Sequence, residues 1–238
     1  MIKVNAHLHT PNSFSAFGSI GQALDMAVVE GVKVVGINDF YSTAGYQEWA
    51  DGCKVRGLYP LFNIELISLN EADRKAGVRV SDPGNPGRVY ISGKGLSHPF
   101  KLAEPYASQL AEVVRESNSQ VEAMCGKVNE ILLNINAGFS VDFEWIKNDL
   151  AKGLIRERHL AKAIRLKAYE YCNQNPLDIR ILFHKLFAGK ELKSEVTDHA
   201  GVENEIRANL LKAGGGAFVP EDPKAFLPMQ TVCEIIVA

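Results

Sequence analysis

The sequence predicts an α/β fold carrying a large helical insertion, and three observations predict it. Residues 1 to 98 alternate short apolar, β-branched runs with stretches of helical spacing. Residues 99 to 216 are almost wholly helical in pattern. Residues 217 to 238 lead back through Phe218 and Val219 to an α/β pattern, a Phe226-Leu-Pro228 entry followed by Val232, Ile235 and Ile236 on one helical face. That last pattern stops at Ala238 with no C-cap and no following strand, so the chain reads as cut within a βα unit.

The first element, Ile2 to Leu8, alternates apolar Ile2, Val4, Ala6 and Leu8 with polar Lys3, Asn5 and His7, the period of a strand. It ends in His7-Leu-His9, and side chains at i and i+2 of a strand project together, so the pair can share a metal ion or an anion; a chance pair on a polar face is the plainer alternative. Ser19 caps a helix over Ile20 to Glu30, with Ala23, Leu24, Ala27 and Val28 on its apolar face and Gly31 at its stop. Val32 to Asn38 is apolar with little alternation, as in a strand buried on both faces, and runs into Asp39. Ser42 opens a second helix through Tyr46, Trp49 and Ala50 to Gly57, and a third strand, Leu58 to Ile64, runs into Glu65. A polar excursion with turn residues at Asp82-Pro-Gly-Asn-Pro-Gly87 leads to a fourth strand, Arg88 to Ser92. Four parallel, adjacent strands are expected, with His9, Asp39 and Glu65 at the carboxyl edge where α/β proteins place their sites.

In the insertion, the apolar positions from Leu110 to Ile135 follow one or two long helices. Ser140 opens a helix with Asp142 and Glu144 in its first turn. Further helices are read over Leu160 to Tyr171, Ile179 to Phe187 and Val202 to Lys212, the last stopped by Gly214-Gly-Gly216. Arg156, Arg158 and His159 lie at a helix start, where free N–H groups already favour an anion, so they are candidates to hold a phosphate; a solvated basic face continued by Lys162, Arg165 and Lys167 explains them as well. Lys94, between Gly93 and Gly95, is either a second phosphate contact or part of a plain loop. The Gly214-Gly-Gly216 loop follows a helix and precedes no Lys-Ser/Thr, so it is no P-loop.

His7-Leu-His-Thr10 before a helix, Gly36-Ile-Asn-Asp39 and Asn63-Ile-Glu65 together resemble the opening of the PHP family, named for polymerase and histidinol phosphatase. The stretch Arg156-Glu-Arg-His-Leu-Ala-Lys-Ala163 is similar to the Arg/His-bearing helix start in the insertion of many PHP phosphoesterases. The resemblance covers the first hundred residues and, loosely, the rest. It implies a distorted β/α barrel of the seven-stranded type, here partial, and hydrolysis of phosphate esters with up to three Zn, Mn or Fe ions. The departures reduce that set. Asn38-Asp39-Phe40 stands where the family reads Thr-Asp-His, Ser15 to Gly18 holds no acidic residue, Tyr90 stands in place of a histidine, and the late His and Asp-x-His motifs have no counterpart. His7, His9 and Glu65 remain, which the family brings to one ion. Their N2O donor set suits Zn, Mn or Fe(II), so one divalent ion is expected. In the hydrolase expected from these residues Asp39 orients a ligand or takes a proton and His159 takes part in the chemistry; the resemblance tips Arg156 and Arg158 toward phosphate contact, and Lys94 is a further candidate from its Gly-Lys-Gly turn.

Composition narrows the rest. A formal charge of −2 and a pI near 6.3 give no footprint for nonspecific nucleic-acid binding. The four cysteines are dispersed without a Cys-x-x-Cys, which suggests neither a zinc ribbon nor a disulfide framework. No signal-peptide core and no apolar run of the ~20 residues that span a membrane are present, so a cytoplasmic protein is expected. Two functions are carried forward: a metal-dependent phosphoesterase-like hydrolase of a small phosphorylated molecule, and a catalytically reduced PHP-like domain that binds a ligand or partner. A homo-oligomer is compatible with either.

Overall fold

The computed structural model describes residues 1–13, 15–82 and 84–237; Pro83 of the expected turn and the terminal Ala238 therefore lie outside the described residues. In chain order the elements are β1 (Lys3–Leu8), α1 (Ile20–Val29), β2 (Val32–Phe40), α2 (Tyr46–Arg56), β3 (Tyr59–Leu69), α3 (Glu71–Ala76), β4 (Arg88–Lys94), α4 (Tyr106–Asn134), α5 (Phe143–Trp145), α6 (Glu157–Tyr171), α7 (Pro176–Leu186), α8 (His199–Ile206), β5 (Leu227–Pro228) and α9 (Met229–Val237). The chain folds into two compact units. An α/β unit comprises Met1–Glu116, Lys152–Leu154 and the segment from Asp222 onward; a helical unit comprises Ser117–Ala151 and Ile155–Glu221.

The α/β unit is built on a curled, half-barrel sheet in the order β1-β2-β3-β4. β1, β2 and β3 are parallel, with Asn38 opposite Asn63 and Phe40 opposite Glu65. Gly36 is needed where the β1 backbone and a β3 side chain crowd β2, since a Cβ there would lie 2.8 Å from the Ala6 carbonyl oxygen and 2.5 Å from the Asn63 side-chain amide nitrogen. Past Phe40 the chain turns out of the sheet at Tyr41, whose φ is 53°. β5 then pairs with Ser68 and Leu69 of β3 on the edge that β2 has vacated, because β4 holds the other edge of those residues. This exchange of partners carries the curl of the sheet onward.

The fourth strand departs from the parallel arrangement that the sequence suggests: β4 runs antiparallel to β3, with Glu65 opposite Ser92. A parallel return needs a crossover, usually a helix with an apolar face to lay on the sheet. The only helix among the described residues of this connection, α3, reads Glu-Ala-Asp-Arg-Lys-Ala and buries no residue. Asn70 caps it, Gly77 stops it in the left-handed conformation, and the chain doubles straight back.

Two cores flank the sheet. α1 and α2 pack Ile20, Leu24, Trp49 and Cys53 against Val35 and Ile37 of β2. Fully burying side chains such as Leu24 and Ile37 contributes about 1.5–3 kcal/mol each. The second core joins Ile64, Leu66 and Ile67 of β3 to Val113 at the start of α4 and to Val232 and Ile235 of α9. β1 is the thin margin of the sheet, with Ile2 and Val4 exposed.

The helical unit has its own core, formed by Val121, Val128 and Leu132 of α4 with Leu160, Ile164, Phe183, Val202 and Ile206. The apolar run from Leu110 lies on one helix, α4, which ends at Asn134, one residue short of Ile135. The helix read from Ser140 is capped instead by Asp142, whose side chain accepts from the Trp145 N–H at 2.7 Å. No helix among the described residues is long and apolar enough to cross a membrane.

Candidate metal centre

His7 near the end of β1, His9 just beyond it and Glu65 within β3, which runs on to Leu69 instead of stopping at Ile64, bring three potential ligands together. The Nε2 atoms of His7 and His9 are 3.3 Å apart, and Glu65 Oε2 lies 3.0 Å from the first and 3.3 Å from the second. β1 and β3 are two strand spacings apart, about 9–10 Å, so these side chains meet by reaching across β2. Ligand atoms about 2.0–2.1 Å from a tetrahedral ion stand about 3.3–3.4 Å from one another. The triangle therefore matches three corners of such a polyhedron, and His7, His9 and Glu65 are the one group of this kind among the described residues. His7 is half exposed, which leaves the cluster open on one side.

Asn38 occupies the middle of the span. Its residue is fully buried, and Nδ2 lies 2.8 Å from Glu65 Oε2, 3.1 Å from His7 Nε2 and 3.2 Å from Ser92 Oγ. Its Oδ1 accepts from Lys94 Nζ at 2.8 Å, and the same ammonium donates to the Ala6 carbonyl at 3.0 Å. Lys94 thus crosses from β4 to β1 with two of its three protons engaged. Burial pushes its pKa down, against a pull upward from Glu65.

Asp39 faces the other way. Alternation along β2 puts it on the side of Val35 and Ile37, opposite Asn38 and Phe40. Its carboxylate accepts from the Thr10 N–H at 2.6 Å, the Thr10 hydroxyl at 2.5 Å and the Ser13 hydroxyl at 2.7 Å. Burial raises its pKa, and these hydrogen bonds hold it back. Ser13 Oγ is also 3.5 Å from His9 Nδ1. A hydroxyl has one proton, and here Asp39 takes it; Ser13 can then only accept from Nδ1–H, which turns the Nε2 lone pair of His9 toward the cluster. Asp39 accordingly clamps the loop after β1 and, through Ser13, sets the ring of His9, a candidate ligand.

Phe40, standing where the family resemblance calls for an imidazole, stacks on His9 with ring centroids 4.9 Å apart and planes at 18°. Tyr90 lies edge-on to Phe40 at 6.1 Å. Phe40 thus covers the His9 ring and Tyr90 packs behind Phe40, at positions where the family resemblance calls for imidazoles.

Among solved structures, the chain is similar to a protein from Bifidobacterium adolescentis provisionally named a metal-dependent phosphoesterase, at 12% identity and a TM-score of 0.59. It is also similar to an amidohydrolase from Chromobacterium violaceum with bound sulfate and no metal, at 18% identity and a TM-score of 0.56. Each match covers 99% of this chain, which spans 63% of the length of either neighbour. No family model matches the sequence, and no curated protein matches it.

Arg156, Arg158 and His159 belong to the helical unit, at the start of α6. His159 Nδ1 accepts from the Arg156 N–H at 3.0 Å, and the His159 N–H donates to the Arg156 carbonyl at 2.8 Å, a reciprocal cap. Burial, reinforced by Lys162, lowers the His159 pKa to about 4, so the ring is neutral. Arg156 donates to Ser117 Oγ at 3.0 Å, and Arg207 pairs with Glu157 at 2.7 Å. Burial, together with Arg207, lowers the Arg158 pKa.

The residues that sequence reasoning missed are Asn38 and Ser13. Strand period offered the signal for the first, since Asn38 and not Asp39 shares a face with Gly36 and Phe40. Ser13 acts through a loop whose shape only the tertiary structure fixes.

Proposed function

We propose that this chain is a metal-dependent phosphoesterase-like hydrolase of the PHP type, acting on a small phosphorylated substrate. The observation that carries the reading is the triangle of His7 Nε2, His9 Nε2 and Glu65 Oε2, with edges of 3.0 to 3.3 Å. The donor set is N2O, which Zn, Mn and Fe(II) accept. Bound there, such an ion supplies Lewis acidity toward a phosphoryl oxygen and lowers the pKa of water. The protein's own part is to hold that site in shape. Ser13 and Asp39 fix the His9 ring, and Asn38 donates to Glu65 Oε2. The third Lys94 proton is available to a substrate phosphate at the rim of the α/β unit; within the helical unit, Arg156, Arg158 and neutral His159, a hydrogen-bond donor through Nε2, are separate candidates to hold a phosphate.

The Phe40 ring stacked on His9 favours a second reading, a domain that binds its ligand or partner with little turnover. One set of measurements separates the two. Protein loaded with zinc or manganese and freed of excess should carry one ion per chain by elemental analysis, and His7→Ala should carry none. Hydrolysis of a phosphomonoester such as p-nitrophenyl phosphate, lost in His7→Ala, supports the hydrolase. One ion without turnover supports the binding domain, and no ion at all defeats both.

A further inference from the structure

We propose that Asn38 is a positioning residue of the metal centre, locked by Lys94 with its amide nitrogen toward Glu65 and its oxygen turned from the ligands, so that the site offers three protein ligands rather than four. The assignment rests on the metal-centre reading above.

The lock follows from which groups can donate. An ammonium only donates, so the Asn38 atom 2.8 Å from Lys94 Nζ must be the oxygen. The nitrogen is thereby directed at Glu65 Oε2 and His7 Nε2, both acceptors toward an ion. An amide nitrogen has no lone pair to give a metal, whereas an amide oxygen is a good ligand for hard cations. Turned over, Asn38 would place that oxygen beside two of the three ligand atoms. Lys94 prevents this, and it is itself anchored by the Ala6 carbonyl of β1 at 3.0 Å. A metal ion therefore meets a site in which one carboxylate oxygen is oriented by an N–H, a nearby ammonium opposes cation charge, and a fourth ligand is withheld.

The test is calorimetric titration of Mn(II) and Zn(II) into the full chain and into Lys94→Met, Asn38→Ala and the double variant. Loss of the donor to Glu65 in Asn38→Ala should weaken binding ~10-fold. Lys94→Met should tighten Mn(II) ~10-fold and Zn(II) less, because the freed amide oxygen suits the harder ion. In the Asn38→Ala background the gain from Lys94→Met should shrink to the few-fold that charge removal alone provides. An equal gain in both backgrounds overturns the lock. Lys94 is exposed, so its variant folds even if the buried Asn38→Ala does not, and a second readout needs that variant alone. In metal-free protein the Asn38 side-chain amide protons should be protected from exchange and shifted in nitrogen-15 correlated spectra, and Lys94→Met should lose that protection; unchanged resonances overturn the lock. Absence of any uptake by the wild type overturns the metal-centre reading itself and this assignment with it, while uptake with equal gains overturns the assignment alone.

Discussion

A single carboxylate, Asp39, shows how position on a strand decides what a residue does. It accepts three hydrogen bonds from the loop after β1, so Asp39→Ala leaves three donors unpaired in a buried place. A single orphaned buried donor costs about 1–3 kcal/mol, and a loss of this order or more is expected, read as a lower denaturation midpoint. Because Ser13 relays to His9, metal affinity should fall as well, ~10-fold, in a calorimetric titration run below the new midpoint. Phe40→His makes the complementary case. It returns an imidazole to the place of the ring stacked on His9, but the other groups that the family resemblance calls for remain absent, so elemental analysis should still find one ion per chain and turnover should stay far from that of a full site. A second tightly held ion in Phe40→His would show that the Phe40 ring alone limits the count.

At the scale of elements, what was legible depended on whether a segment's role was local. α1 begins at the Ser19 cap and ends by Gly31, and β2 is buried on both faces, because caps and apolar runs act through neighbours in sequence. The direction of β4 was not legible, since it turns on whether the connection after β3 has an apolar face, and a polar excursion can be read as a loop of either kind. The histidine pair and Glu65 were legible as one expected ligand set through the family resemblance, whereas the way they meet, reaching across β2 past Asn38, belongs to the register of three strands. α6 carries an acid test of its own. Its cap depends on neutral His159, whose pKa lies at about 4 against the ordinary 6.5, so the unfolded chain protonates first as pH falls. The stabilisation is complete above pH 6.5 and is lost progressively toward pH 4, by about 3 kcal/mol in all. His159→Gln keeps an acceptor for the Arg156 N–H and does not titrate, so its denaturation midpoint should fall less over that window.

For the molecule as a whole, two compact units with separate cores mean that a ligand's stabilisation can be sought in one of them. Metal at a hundred times its dissociation constant adds about 2.7 kcal/mol to whatever unfolds with the site. The gain should appear in the unfolding of the α/β unit and vanish in His7→Ala. Differential scanning calorimetry with and without Zn(II) checks this, and an undiminished shift in His7→Ala would place the binding elsewhere.

The thin margin of the sheet has a consequence in time as well as in space. β1 carries His7 and leads directly into His9, yet among the described strands it pairs with β2 alone, and Val4 within it and Ile2 just before it are exposed. Such a strand is the readiest to fray, and its lifetime sets how long His7 stays in place. Chelation would then act as a rivet at the loose end of the sheet, and the amides of Val4, Ala6 and Leu8 would serve as its clock: deuterium should enter them quickly in metal-free protein and slowly once the ion is bound, while Val35 and Ile37 in the sheet interior exchange at the same slow rate throughout.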